Sequence, residues 1–521
     1  MIRWWLFPIL FMLFGGCPSP ERPQVRQISR ASLLPLAGQR TTPDDLRPSP
    51  FPYGVASGDP LPDAVILWSM LDTAAARQDS LVKWQISEEA DFAHIHSSGT
   101  VTTKADRRYS IKVDVRGLQE NTSYYYRFKH HLGWSSTGRT RTAPAPDQQL
   151  EAITLAVVSC NALEWGYMNA FGKIAERKDL TAVVHLGDYI YEYASGVYGD
   201  TSLGRFHEPR HEVVTAEDYH IRYAQYRREP QLRAAHEAHP FICVWDDHEV
   251  ANDSHLYGAE NHNSAEEGDY LTRMTAAKRV YYNWMPIREQ ASGAIYRRFR
   301  FGELVDLHML DERLAGRKPP ADSFAPHELA DSSRRMLGED QLQWLCRGLR
   351  ESQTRWQLIG NQVLFARLDL KDILPEYAVN LDAWDGYAYE QGRLKDSLRA
   401  YGDFNTIFLT GDTHCSWYFD IEDTDGQRIA HELATPSVSS ANYDELIGGW
   451  DTLAIARYRL YRDNEHLHYT NIKDHGYLSL ELGANEAIAR FHYSESIRYA
   501  TRREKSLKTY QIPYVPVNHL Q

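Results

Sequence analysis

Four clusters of potential metal donors recur along this chain: Cys160; Asp188 with Tyr191; Asp246, Asp247 and His248 with Asn252; and Asp412 with His414. Each stands at or just beyond the end of a short apolar run. Thiolate, phenolate, imidazole and carboxylate are the side chains that hold metal ions, and residues this far apart in sequence can meet where the strands of an α/β domain end. A catalytic metal site is the chemistry that such a set supports. Taken singly, each residue also has a plainer use: the cysteine as a buried apolar residue, Asp188 as a cap for its turn, and Tyr191 as a packing residue.

The elements that must position these groups can be read from periodicity. The apolar runs 153–158 and 182–186 are too short for ordinary helices and stop abruptly in polar residues, with a helical pattern between them. That is a βαβ unit, with Cys160 at the end of its first strand and Asp188 and Tyr191 at the end of its second. Further apolar runs at 241–245, 304–309, 356–359 and 406–409 alternate with helical stretches, which predicts an α/β domain over residues 147–495. Ahead of it, runs at 65–68, 82–86, 109–115 and 124–130 are rich in β-branched and aromatic residues, which predicts a small β-sandwich over residues 51–146. Leu118, Asn121, Thr122 and the run Tyr124, Tyr125, Tyr126 suggest the corner that fibronectin-type sandwiches build with a tyrosine hydroxyl.

Length and composition bound the rest. A chain of 521 residues exceeds a single core, and 43% hydrophobic with 24% charged residues is a globular balance. The net charge of −13 argues against nucleic-acid binding, which calls for a basic surface. Residues 1–17 read as a secretory signal: Arg3, an apolar run too short to span a bilayer, then Gly15, Gly16 and Cys17. Small residues before a cysteine resemble the lipobox of bacterial lipoproteins, in which Cys17 becomes an acylated N-terminus; Phe14 is untypical there, and an ordinary signal peptide is the alternative. Residues 18–50, polar and proline-rich, read as a tether. Cys243 and Cys346 read as core residues, and no CxxC pair marks a zinc knuckle.

The order SC, HLGDYIYE, WDDHEVAND and LTGDTHCSW resembles the PhoD-like alkaline phosphatases, relatives of the purple acid phosphatases within the calcineurin-like metallophosphatase superfamily. FPYGVASGDP, LHMLDER, WDGY and HGYLSLEL resemble that family as well, so the likeness covers nearly all of the chain after the tether. It implies an α/β fold in which a layered metallophosphatase-type sheet sandwich, flanked by helices, follows a small fibronectin-like β-sandwich. It further implies a two-metal centre of Fe3+ and Ca2+. Cys160 and Tyr191 would bind the iron, with His414 assigned to the same ion and Asp188 as the bridging carboxylate. Asp247, Asn252 and Asp412 would face the calcium, with Asp246 not separable from Asp247 and Asn252. His248 would stabilise the transition state or donate a proton. Arg313 is the best candidate for holding phosphate, with an ordinary salt bridge as its alternative. Cys415 is expected to be structural.

The function expected is an exported, metal-dependent phosphoric ester hydrolase, lipid-anchored at a bacterial membrane facing periplasm or exterior. It would use in-line attack by a metal-bound oxygen on phosphomonoesters and diesters. A phospholipase D-type diesterase on lipid or cell-wall polymers is the alternative, and an inactive surface-binding lipoprotein the rival from another class. The terminal residues 496–521 carry Arg498, Arg502, Arg503, Lys505 and Lys508, and read as a solvated tail or a gate over a phosphate pocket.

Overall fold

The central strands Ala152–Val158, Ala182–His185 and Pro240–Cys243 lie parallel, buried on both faces, as near-continuous apolar runs must be. The computed structural model describes residues 49–516 apart from 74, 75, 77–79, 322, 324, 374–379, 402–404, 448 and 449. The signal segment, Cys17 and the tether up to residue 48 therefore lie outside the described residues. Among those described, no helix is long and apolar enough to cross a membrane.

Two sheets build the molecule's centre. The nine-stranded sheet carries the three strands above, and the seven-stranded sheet is centred on the parallel strands Val305–Met309, Trp356–Asn361, Thr406–Thr410 and Arg428–Ala434. Leu155, Val157 and Val183 of the first share one core with Leu307, Leu358, Ile407 and Leu409 of the second. Each such side chain contributes roughly 1.5–3 kcal/mol when withdrawn from water. Phe171 and Ile174 of helix Asn169–Glu176 join that same core. Leu342, Leu345 and Leu349 of helix Glu339–Glu351 pack with Ile359, Phe408 and Phe419 in a separate core. The fold is thus the layered α/β sandwich flanked by helices that the sequence predicts.

The front sandwich differs from its predicted form in one respect. Its strands Val55–Gly58, Ala64–Met70 and Ser110–Arg116 do not form a separate sheet; they end the nine-stranded one, with Ser57 opposite Pro240 and Gly58 opposite Phe241. A Cβ at Gly58 would stand 2.3 Å from the Pro286 carbonyl, so only glycine allows this junction. Asp59 then pins it, pairing with Arg297 at 2.7 Å. A second sheet of five strands, Ser80–Ser87 and Ser97–Thr103 among them, covers the first across a core of Val65, Val82, Ile111, Tyr124 and Phe128. Tyr124 does make the expected corner: its hydroxyl accepts the Gln119 N–H at 2.9 Å.

The basic C-terminal segment, as far as it is described, is not a free tail. Residues Glu504–Pro513 pair antiparallel with Glu486–Ser494 as the edge strand of the nine-stranded sheet. Arg498, Arg502 and Lys505 pair with Asp200, Glu176 and Asp474. A charge-rich strand suits an edge because its outer backbone groups face water.

Candidate metal centre

The loops after four strands converge: Cys160 follows Ala152–Val158, Asp188 and Tyr191 follow Ala182–His185, residues 246–252 follow Pro240–Cys243, and Asp412 and His414 follow Thr406–Thr410. Cys160, Asp188, Asp412 and His414 have φ of 59°, 55°, 59° and 61°, a region that costs a residue bearing a Cβ roughly 1–2 kcal/mol. Four such residues at one site store strain that the surrounding packing must hold. Gly187, at φ 113°, is where two of the loops touch; a Cβ there would fall 2.4 Å from the Asp246 backbone nitrogen. The Cys160 N–H bonds the Gly187 carbonyl at 3.2 Å, and the Asn161 N–H bonds that of Asp188 at 3.1 Å, tying the first loop to the second.

The donors form three overlapping groups, each with its atoms within 4.8 Å of one another: Cys160, Asp188 and His414; Asp188, Asp247 and His248; and Asp246, Asp247 and Asp412. Asp188 belongs to two of them. Tyr191 joins the first group, its hydroxyl 3.0 Å from Asp188 Oδ2 and 3.2 Å from His414 Nε2. His414 Nδ1 donates to the Ala441 carbonyl at 2.8 Å, which leaves the Nε2 lone pair facing the cluster. Asn252 lines, with Asp253 and Asp412, a cavity of about 440 Å³ beside the third group, and its amide nitrogen donates to Glu260.

These residues fit cations on electrostatic grounds. Asp188 Oδ1 and Asp246 Oδ2 are buried and accept no hydrogen bond among the described residues. Burial pushes the Asp188 carboxyl well up, and Asp247 and Asp246 push it further, while His248 opposes them. Burial and then Asp246 do the same to Asp412. Asp246 is raised to about 6 by burial, with Arg313 opposing. Only Asp247 is held low, because Arg313 and His248 outweigh its burial. The Cys160 thiol is raised by burial and by Asp188. Acids raised in this way hold their protons in a dry pocket unless positive charge enters it, so a cation binding there would displace those protons.

Arg313 supplies part of that charge. Fully buried, it places Nε on Asp246 at 2.5 Å and Nη1 on Asp382 at 2.8 Å. Its Nη2 makes no hydrogen bond among the described residues and stands 3.6 Å from Asp247 and 3.7 Å from Asp412. Cys415 is buried in the neighbouring core, as expected of a structural residue.

Several residues of the site were not among those singled out from the sequence. Glu249 accepts the N–H groups of Asp188, Tyr189 and Asp246 at 3.0, 2.7 and 2.8 Å, clamping two ligand loops together. Glu192 holds His248 Nδ1 at 2.7 Å and accepts the Asn252 N–H at 2.8 Å. Tyr198 stacks on Tyr191 with ring centroids 5.4 Å apart. Glu312 accepts the N–H groups of Gln362 and Val363 and the Trp384 indole, fixing the loop that carries Arg313. Glu192, Glu249, Glu312 and Trp384 all sit inside the motifs quoted above, and an acidic residue in so apolar a setting was the available signal.

Comparison with known proteins places these loops in a family context. A family model described as PhoD-like phosphatase matches residues 155–491, and one for the N-terminal domain of such phosphatases matches residues 38–144. Alkaline phosphatase D of Bacillus subtilis (strain 168) is 35% identical over 447 residues, covering 81% of this chain and 74% of that protein. A solved structure described as that of PhoD superposes with a TM-score of 0.79 at 31% identity, covering 89% of this chain and 91% of the other.

Proposed function

We propose, from the premise that this chain belongs to the PhoD-like phosphatase family, that it hydrolyses phosphoric esters with a two-metal centre of ferric iron and calcium. The observation that carries the proposal is the double membership of Asp188, a carboxylate common to the donor group with Cys160 and His414 and to the group with Asp247 and His248. Cys160, Tyr191 and His414 offer sulfur, phenolate and imidazole, donors that suit Fe3+; Asp247, Asn252 and Asp412 offer only oxygen, which suits Ca2+. When bound, the two ions would supply Lewis-acid charge to the phosphoryl oxygens and make a water molecule more acidic.

The chain's own residues account for the remaining steps. His248 is kept protonated, burial being outweighed by Glu192, Asp247 and Asp188. With Nδ1 held by Glu192, its Nε2–H is the proton available to a leaving oxygen. Among the described residues Arg313 Nη2 has no hydrogen bond, and a phosphoryl oxygen would satisfy it. Export through residues 1–17 and acylation of Cys17 complete the proposal: an enzyme tethered at a bacterial membrane, working on phosphate esters outside the cytoplasm.

Diesters are favoured over small monoesters by the cavity beside Asp412. Leu364, Ala366, Leu368, Leu370 and Leu446 line it together with Asn252 and Asp253, so an apolar ester substituent would find a dry wall next to the metal donors. Elemental analysis of the purified protein, combined with nitrophenyl monoester and bis-nitrophenyl diester assays, tests the proposal. Iron and calcium should be present, and activity should fall with a calcium chelator and return with calcium more than with zinc. Full activity after exhaustive calcium removal would overturn the calcium assignment. Wild-type protein recovered from a bacterial host with its signal segment removed and no acyl mass on Cys17 would overturn the lipid anchor.

A further inference from the structure

We infer that one corner of the front sandwich, around Lys83, Lys129, Leu132 and Trp134, docks on an anionic lipid surface. Strand Ser123–His130 alternates strictly, with Tyr124, Tyr126, Phe128 and His130 buried, so Arg127 and Lys129 point to the outer face. Leu81 and Lys83 point the same way from strand Ser80–Ser87. Register places Lys83 directly opposite Lys129, and Lys129 directly opposite Trp134. Two lysines facing each other across a ladder destabilise a sheet. No ion pair of Lys83, Arg127 or Lys129 occurs among the described residues, although the chain carries a net charge of −13 and offers acids in excess. The Arg127 Nε bonds only the neutral Gln85, at 3.0 Å.

Apolar groups cluster with these cations. Leu81 is 57% exposed, Leu132 at the hairpin tip 45%, and Trp134 38%. A single exposed leucine is ordinary, but three large apolar groups beside a row of unpaired cations make an amphipathic patch. Arg127 and Lys129 sit 4.1 and 4.8 Å from the Trp134 ring, which fixes the indole at the patch edge. Indole, leucine and lysine stems are the groups that lie at a bilayer interface, with the ammonium groups on lipid phosphates.

Chain path points to the same corner. The described chain begins at Ser49, and Pro50 packs on the hairpin: a Cβ at Gly133 would stand 3.5 Å from Pro50 Cδ. Pro50, next to the first described residue, thus lies beside the hairpin that carries Leu132 and Trp134, and an anchor upstream of Ser49 would be joined to the body at this corner. The inference needs neither the phosphatase reading nor lipidation of Cys17, because the patch carries its own charge and apolar surface.

Hydrogen exchange on the full chain bound to vesicles tests it. With phosphatidylglycerol in the vesicles, amides of residues 129–135 and 81–83 should be protected, and with phosphatidylcholine alone they should not. The Lys83→Glu/Lys129→Glu variant should lose that difference and bind the anionic vesicles at least about tenfold more weakly, with its rate on a nitrophenyl ester unchanged. Equal protection on neutral vesicles, or protection that survives in the variant, would overturn the proposal. So would protection in vesicle-free solution by a soluble polyanion, or by raised protein concentration, which would identify a glycopolymer or a second copy as the occupant.

Discussion

Nδ1 of His248 lies 2.7 Å from Oε2 of Glu192, a carboxylate with no exposure to solvent. The contact fixes the ring and holds its charge well above the usual histidine range, since Glu192 is the foremost of the groups that outweigh burial. Stability from such a raised group is complete below its unfolded value, near 6.5, and is lost as pH climbs through the folded value.

Glu192→Gln should lower the turnover number about 10- to 100-fold while leaving iron and calcium content intact. It removes the charge that keeps His248 protonated, so the alkaline limb of the pH–rate profile should move to lower pH. A profile that merely scales down without moving would assign Glu192 a structural part alone.

Much of this centre could be read in advance because strands and the residues that end them are local features. The apolar runs 153–158, 182–186 and 406–409 became strands within one or two residues of their predicted bounds, and the donors beyond them converged as parallel strands require. What could not be read arises from contacts between distant segments. Asp382, which grips Arg313 from 69 residues away, leaves no mark in its own neighbourhood. The parallel pairing of Ser57 with Pro240, which fuses the front sandwich to the catalytic sheet, spans two residue pairs and has no periodicity to betray it. The strand Glu504–Pro513 misled because a solvated edge carries the same charges as a tail.

Glu249 should matter to assembly of the site more than to its chemistry. Its two oxygens serve three buried N–H groups, and Glu249→Gln would set an amide NH2 against at least one of them. Leaving a buried donor unpaired costs about 1–3 kcal/mol. Urea unfolding should show a destabilisation of about 2–3 kcal/mol, with metal content reduced. Unchanged unfolding with full metal loading would show that the loops hold their strained φ values without this clamp.

The cavity wall predicts a selectivity change that leaves the metal donors alone. Leu368→Asp puts a charge into the apolar side of the cavity, where it meets the substituent and not the phosphoryl group. The rate on bis-nitrophenyl phosphate should fall about tenfold relative to that on the monoester, through KM more than through kcat. Equal losses on both substrates would place the diester's second group elsewhere.

The proposed iron ligands make the last prediction, and it can be read by eye. Cys160 and Tyr191 are both fully buried, with His414 Nε2 and Asp188 Oδ2 at 3.2 and 3.0 Å from the Tyr191 hydroxyl. An electron-rich sulfur and phenolate oxygen on ferric iron donate charge to the metal, so concentrated protein made with ample iron should be brown to violet. Tyr191→Phe deletes one hydroxyl that also accepts from Ser440 at 2.7 Å; the fold should persist while the visible band shifts or fades. Cys160→Ser should lose the iron itself, because a hydroxyl is a far poorer ligand than a thiolate at neutral pH. The colour separates two explanations that activity alone would confuse. If the wild-type protein is colourless, iron-free and fully active with another metal, Cys160 is a buried apolar residue and its left-handed backbone serves only to turn the loop toward Gly187.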